Sequence, residues 1–167
     1  VADYGWVAGG GDEGNNNINA GGGGNEIKTG LGSDTIVAAG VANIIDAGGG
    51  NNNITAVGGG NKITAGSGND YIKVGGATLN TVNAGDGNNT IVGVGLVGNI
   101  INSGSGDDTI DAAGIANIIN AGGGRNNILA LGGGNKITTG SGDDIIRVGG
   151  ATLNTINAGD GNNTITT

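Results

Sequence analysis

The feature that most limits what this chain can fold into is an isoleucine that returns every ninth residue. Cut from Gly11, the sequence falls into seventeen segments, starting at residues 11, 20, 29, 38, 47, 56, 65, 75, 84, 94, 103, 112, 121, 130, 139, 149 and 158; three carry one extra residue. Their common pattern is small-Gly-x-Gly-x-(Asn/Asp)-x-Ile-x. Position eight is Ile in sixteen segments and Val82 in the other, and position six is Asn thirteen times and Asp four times. No helical period of 3.6 residues begins anywhere, so the repeat is read as a unit of a solenoid.

Strand geometry explains the pattern. Residues two apart share a face, so position eight points inward, position nine outward, and position one of the next segment inward again. That pairs a β-branched residue with a small one, as in Ile54 with Ala56 or Ile128 with Ala130. The glycine-rich residues between form a turn, closed by the Asn or Asp bonding to nearby backbone amides. With 42 glycines, three aromatic residues (Tyr4, Trp6 and Tyr71) and no Pro, Phe, Met, Cys or His, a core of large side chains is not available, and stacking must replace bulk. Gly occupies both positions two and four in eight of the nine odd segments but in one of the eight even ones. Two nonapeptides therefore make one turn. The expected fold is an all-β parallel β-solenoid, a β-roll of about eight turns. One edge is glycine-rich, and the other carries Val41, Leu79, Leu96, Val97, Ile115, Leu131 and Leu153. Residues 29–93 match 103–167 at an offset of 74, which points to an internal duplication within a single solenoid domain spanning 11–167. Residues 1–10 lie outside the repeat and are expected to cap the first coil or to contact a neighbouring molecule through Tyr4 and Trp6.

Over residues 11–166 the consensus resembles the RTX nonapeptide, G-G-x-G-x-D-x-U-x. The resemblance implies calcium between successive turns, held by position-six aspartates and turn carbonyls: here Asp34, Asp70, Asp108 and Asp144, all on the glycine-rich edge. Asn52, Asn89 and Asn126 alternate with them as further candidate oxygen ligands, and Asp86, Asp107, Asp143 and Asp160 lie nearby in sequence. The sequence departs from the RTX pattern in two ways: position one is usually Ala, Thr or Ser, and position six is mostly Asn. Aspartates on every turn, about 4.8 Å apart, would repel by roughly 0.9 kcal/mol per pair even in water; alternation with Asn halves that. Neutral amides also stack as a ladder, here Asn16, Asn25, Asn43, Asn61, Asn80, Asn99, Asn117, Asn135, Asn154 and Asn163. Two readings of the glycine-rich edge stay open: calcium between turns, or an asparagine ladder that holds the stack without metal. The even segments have Asn throughout at position six, so calcium is not expected there.

A net charge of −8 without a basic patch argues against nucleic acid and anionic membranes as partners, and no apolar run is long enough for membrane insertion. The string AGGGGNE lacks the Lys-Ser/Thr of a phosphate loop. Without His or Cys no ordinary nucleophile and base can be assembled, so an enzyme is not expected. Three Asn-x-Thr sequons mark Asn53, Asn88 and Asn162 as candidate glycosylation sites, and glycans as candidate partners. The expected role is an extracellular or cell-surface structural protein that associates end to end into a fibre or surface layer. The alternative is a calcium-responsive module of a larger secreted protein. Ice binding would need an outward row of one residue type, and position seven, reading Asn17, Thr35, Asn53, Tyr71, does not supply it.

Overall fold

The computed structural model describes residues 6–8 and 13–167. Each nonapeptide supplies one short strand, and successive strands alternate between two parallel nine-stranded sheets. The first sheet runs β1 (Trp6–Ala8), β3 (Glu26–Lys28), β5 (Ile44–Asp46), β7 (Lys62–Thr64), β9 (Asn80–Asn83), β11 (Asn99–Asn102), β13 (Ile118–Gly122), β15 (Lys136–Thr139) and β17 (Thr155–Asn157). The second runs β2 (Asn17–Ala20), β4 (Thr35–Ala38), β6 (Asn53–Ala56), β8 (Tyr71–Gly76), β10 (Thr90–Val97), β12 (Thr109–Ile115), β14 (Asn127–Ala130), β16 (Ile145–Val148) and β18 (Thr164–Thr166). This is an all-β, all-parallel solenoid of about eight turns, two nonapeptides to the turn.

The register places like residues over like. In the second sheet Ile36, Ile54, Ile72, Ile91 and Ile110 pair in order, and in the first Ile45, Ile63, Val82, Ile101 and Ile119 do the same. These side chains are fully buried, and the alanines two residues on (Ala38, Ala47, Ala56, Ala65) complete a core only one isoleucine and one alanine deep on each side. The three extra residues are accommodated just after position nine. There Val74, Gly93 and Val148 fall on the inward position that Ala56, Ala112 and Ala130 hold in neighbouring coils. The framing of those segments from 75, 94 and 149 is thereby corrected by one residue. Gly75, Val94 and Gly149 are displaced toward the surface instead.

Outside the repeat, the backbone of Trp6–Ala8 adds one more strand to the first sheet, with Val7 opposite Ile27. The expected cap or contact role of the Tyr4 and Trp6 side chains lies outside the described residues. On the edge opposite the glycine-rich turns, Val41, Leu79, Leu96, Val97, Ile115, Leu131 and Leu153 are all exposed.

Coil-to-coil stacking dictates where glycine must stand. The turn carbonyls at positions two and four point along the solenoid axis at the Cα of the equivalent residue in the next coil. A Cβ on Gly66, which also has φ +90°, would overlap the Gly48 carbonyl oxygen, and one on Gly68 would overlap that of Gly50. Glycine here provides clearance as well as a left-handed backbone. Gly21, in contrast, has nothing among the described residues within 4 Å of where its Cβ would stand. Gly66→Ala is expected to destabilise the chain by at least about 2 kcal/mol, from left-handed strain plus the clash, and Gly21→Ala to leave it within about 0.5 kcal/mol of the parent. Equilibrium denaturant unfolding of the two variants checks this, and equal losses would refute the clearance argument.

Candidate cation site on the glycine-rich edge

The turn before each strand of the second sheet ends in a position-six side chain that points back into the stack. Asp34, Asn52, Asp70, Asn89, Asp108, Asn126 and Asp144 are all buried, and Asn16 and Asn163 at the two ends are partly so. Their Oδ1 atoms form one continuous column of acceptors. Each takes the backbone N–H of the position-six residue one coil earlier: Asn16 N to Asp34 Oδ1 at 2.7 Å, Asp34 N to Asn52 Oδ1 at 3.0 Å, Asn52 N to Asp70 Oδ1 at 2.7 Å. The series continues through Asn89, Asp108, Asn126, Asp144 and Asn163 at 2.8–3.2 Å. In this bond Asn and Asp are interchangeable.

The second oxygen or nitrogen distinguishes them. Asn89 Nδ2 donates to the carbonyls of Gly85 (3.2 Å) and Gly87 (3.0 Å) in its own turn and of Ser103 (3.2 Å) in the next coil. Asn52 Nδ2 likewise donates to Gly50 O and Ala65 O. With Oδ1 committed to an amide, these asparagines direct hydrogens, not oxygen, toward the carbonyls. Where the side chain is Asp, an oxygen replaces the amino group, and Oδ2 of Asp34, Asp70, Asp108 and Asp144 is buried with no hydrogen-bond partner among the described residues. A buried carboxylate oxygen among carbonyl oxygens requires a proton or a cation.

The electrostatics agree with that deficit. Burial pushes the Asp70 carboxyl up from 3.8 to about 6, against the downward pull of hydrogen bonds from Asn52. Burial also raises Asp108, with the neighbouring Asp107 adding to the rise. Among the described residues no three acidic side chains converge on one point. An ion here would rely on one carboxylate and several backbone carbonyls, all hard oxygen donors of the kind that suit calcium.

The even segments build a different column. Asn43 Oδ1 accepts both the backbone N–H of Asn25 (3.1 Å) and its Nδ2 (2.7 Å), and the same double bond joins Asn43 to Asn61, Asn61 to Asn80, Asn99 to Asn117, Asn117 to Asn135 and Asn135 to Asn154. Asn80 reaches Asn99 through Nδ2 alone. A third column, at position five, was not anticipated from the sequence. There Ser33 N donates to Asn15 Oδ1, Asn69 N to Asn51 Oδ1, Asn88 N to Asn69 Oδ1 and Asp107 N to Asn88 Oδ1, all exposed and all running from a coil to the one before it. Asp107 and Asp143 belong to this column, accepting from Arg125 N and Asn162 N. Asp86 Oδ1 accepts from the Ser105 hydroxyl. The sequons at Asn53, Asn88 and Asn162 are exposed.

A protein built this way is a stacked-turn repeat with one edge suited to hard cations. The RTX calcium-binding nonapeptide repeat (4 copies) matches residues 10–45, 46–77, 74–93, 113–146 and 148–167, well over half of the sequence, and the chain belongs to that family. Comparison with curated proteins and with solved structures gave no match.

The raised Asp70 value predicts a pH effect in chelator. The folded chain holds a proton that the unfolded chain releases between pH 3.8 and about 6, so this group's stabilising contribution is complete below 3.8 and lost as pH rises through 6. The full difference corresponds to about 3 kcal/mol. Asp70→Asn, permanently neutral, is expected to raise Tm at pH 7 and leave it unchanged near pH 3.8. A Tm difference of the same size at both pH values would count against burial as the cause.

Proposed function

We propose that this chain is a calcium-binding module of a secreted or cell-surface protein, non-catalytic, with ions held along the glycine-rich edge alone. The observation that carries this reading is the set of four buried, unpartnered Oδ2 atoms at Asp34, Asp70, Asp108 and Asp144. By equivalence with the asparagine coils, the carbonyls of Gly30, Gly32 and Ala47 would accompany Asp34, and those of Gly104, Gly106 and Ala121 would accompany Asp108. A bound calcium ion supplies the positive charge that the buried carboxylates lack. The chain's own part is to present rigid backbone oxygens and to keep water away from them. Membership of the calcium-binding repeat family supports the metal, and the asparagine-only column supports confining it to one edge.

Among the described residues no helix is long and apolar enough to cross a membrane. A surface or extracellular setting, where calcium is plentiful, is part of the proposal. So is end-to-end association, favoured by the unbroken parallel register of both sheets, onto which a coil of another copy would stack in the same way.

Calcium is expected to raise Tm saturably, by about 2–4 °C for each kcal/mol of linkage in a domain of this size, and chelator to reverse the rise. A variant with Asp34, Asp70, Asp108 and Asp144 all changed to Asn should retain its strand circular dichroism in chelator, since the other edge already stacks on asparagine alone. It should also lose the calcium response. A response that survives in that variant would place the ion elsewhere and overturn the site.

A further inference from the structure

Position one of each segment is an inward position, and on this chain it carries a hydroxyl in only three segments: Thr29, Ser103 and Thr139. All three are buried. Each is followed five residues later by an aspartate, Asp34, Asp108 and Asp144. The hydroxyls donate to the position-one carbonyl of the next coil, Thr29 Oγ1 to Ala47 O at 2.8 Å, Ser103 Oγ to Ala121 O at 3.1 Å and Thr139 Oγ1 to Ala158 O at 2.6 Å. In two of the asparagine coils the amide fills the same role, Asn52 Nδ2 to Ala65 O and Asn89 Nδ2 to Ser103 O, whereas Asn126 Nδ2 donates to Gly124 O alone. Exchanging Asn for Asp removes one hydrogen from the interior, and a hydroxyl at position one restores a donor to the stranded carbonyl.

Asp70 is the exception. Its segment begins with Ala65, and among the described residues no side-chain donor reaches the equivalent carbonyl, that of Ala84. Asp70 is 2% exposed, and its Oδ2 has no partner. The oxygens of Asp70, Gly66, Gly68 and Ala84 occupy the places that a donor amide and its three acceptors fill around Asn89. Among the described residues no side-chain donor is directed at these oxygens.

We propose that the position-one hydroxyl decides which aspartate coil needs a cation, and that the Asp70 coil is therefore the preferred site for a hard divalent cation, bound by Asp70 Oδ2 and the carbonyls of Gly66, Gly68 and Ala84. The cation assignment rests on the calcium reading above. The exchange of donors between positions one and six does not. Thr29, Ser103 and Thr139 are positioning residues in this scheme, acting through the carbonyl they hold.

Two measurements separate the parts. Calorimetric titration of the full chain with calcium chloride should show one site tighter than the rest. Ala65→Ser and Asp70→Asn should each weaken it at least tenfold, while Asp34→Asn and Asp144→Asn leave it within about twofold. Serine fits this interior position elsewhere in the chain, as Ser103 shows. Loss of the tightest site in Asp34→Asn, or unchanged affinity in Ala65→Ser, would overturn the assignment to Asp70. Absence of any calcium binding by the parent would overturn the calcium reading, and this assignment with it.

The donor exchange is read separately in chelator by a double-mutant cycle. Thr29→Ala should lower Tm by a few degrees when residue 34 is Asp and by much less in the Asp34→Asn background, where an amide reaches the Ala47 carbonyl. The pair Ser103→Ala and Asp108→Asn repeats the test at a second coil. Equal losses in both backgrounds would show that hydroxyl and carboxylate are not coupled.

Discussion

Everything in this solenoid depends on a side-chain oxygen at position six accepting the backbone amide of the coil before it. Strand ladders alone fix the two flat sheets, but the turns between them have few backbone partners of their own. The Oδ1 column supplies them, coil after coil, on both edges. At position six the side chain that makes this bond is buried inside the stack. The isoleucine two residues later is thereby directed into the core and the residue between them outward. The glycines follow from the same packing, since turns drawn this close leave no space for a Cβ over the carbonyls beneath.

Burial turns a small chemical difference into a large one. Asparagine and aspartate share an outline and differ by an amino group in place of an oxygen. On the surface that exchange would matter little. Inside the stack, it sets a donor against carbonyls in one coil and an acceptor against them in the next. Among the described residues the chain places a buried carboxylate at every second coil of one edge and at no position-six site of the other. An arrangement of that kind is stable only when something else supplies positive charge or a hydrogen, and the raised Asp70 and Asp108 carboxyls express the same shortage.

Much of the architecture was legible in the residues. The nine-residue return of isoleucine fixed the strand, its inward face and the parallel register, and the odd–even difference in glycine gave two strands to the turn. Other features were hidden for physical reasons. The extra residues could be counted but not placed, because Val74 and Gly75 are both small or β-branched and either suits an inward position until register is known. The burial of Asp34 and Asp70 is not legible in the sequence, since a charged residue in a turn ordinarily faces water. The exposed position-five column was missed because its members, Asn15, Ser33, Asn51, Asn69, Asn88, Asp107 and Asp143, share hydrogen-bonding ability rather than a residue type. The pairing of Thr29, Ser103 and Thr139 with aspartates was present in the sequence all along, and only the coordinates gave it meaning.

The columns at positions five and six run in opposite senses, one handing its amides to the preceding coil and the other to the following one. An α-helix aligns its peptide dipoles and accumulates potential at its ends as it lengthens. On the glycine-rich edge the two rows oppose one another, so each added coil contributes less field at the ends there than a one-way column would. A stack can then lengthen by whole coils of the kind that residues 29–93 and 103–167 hold in two closely matching sets.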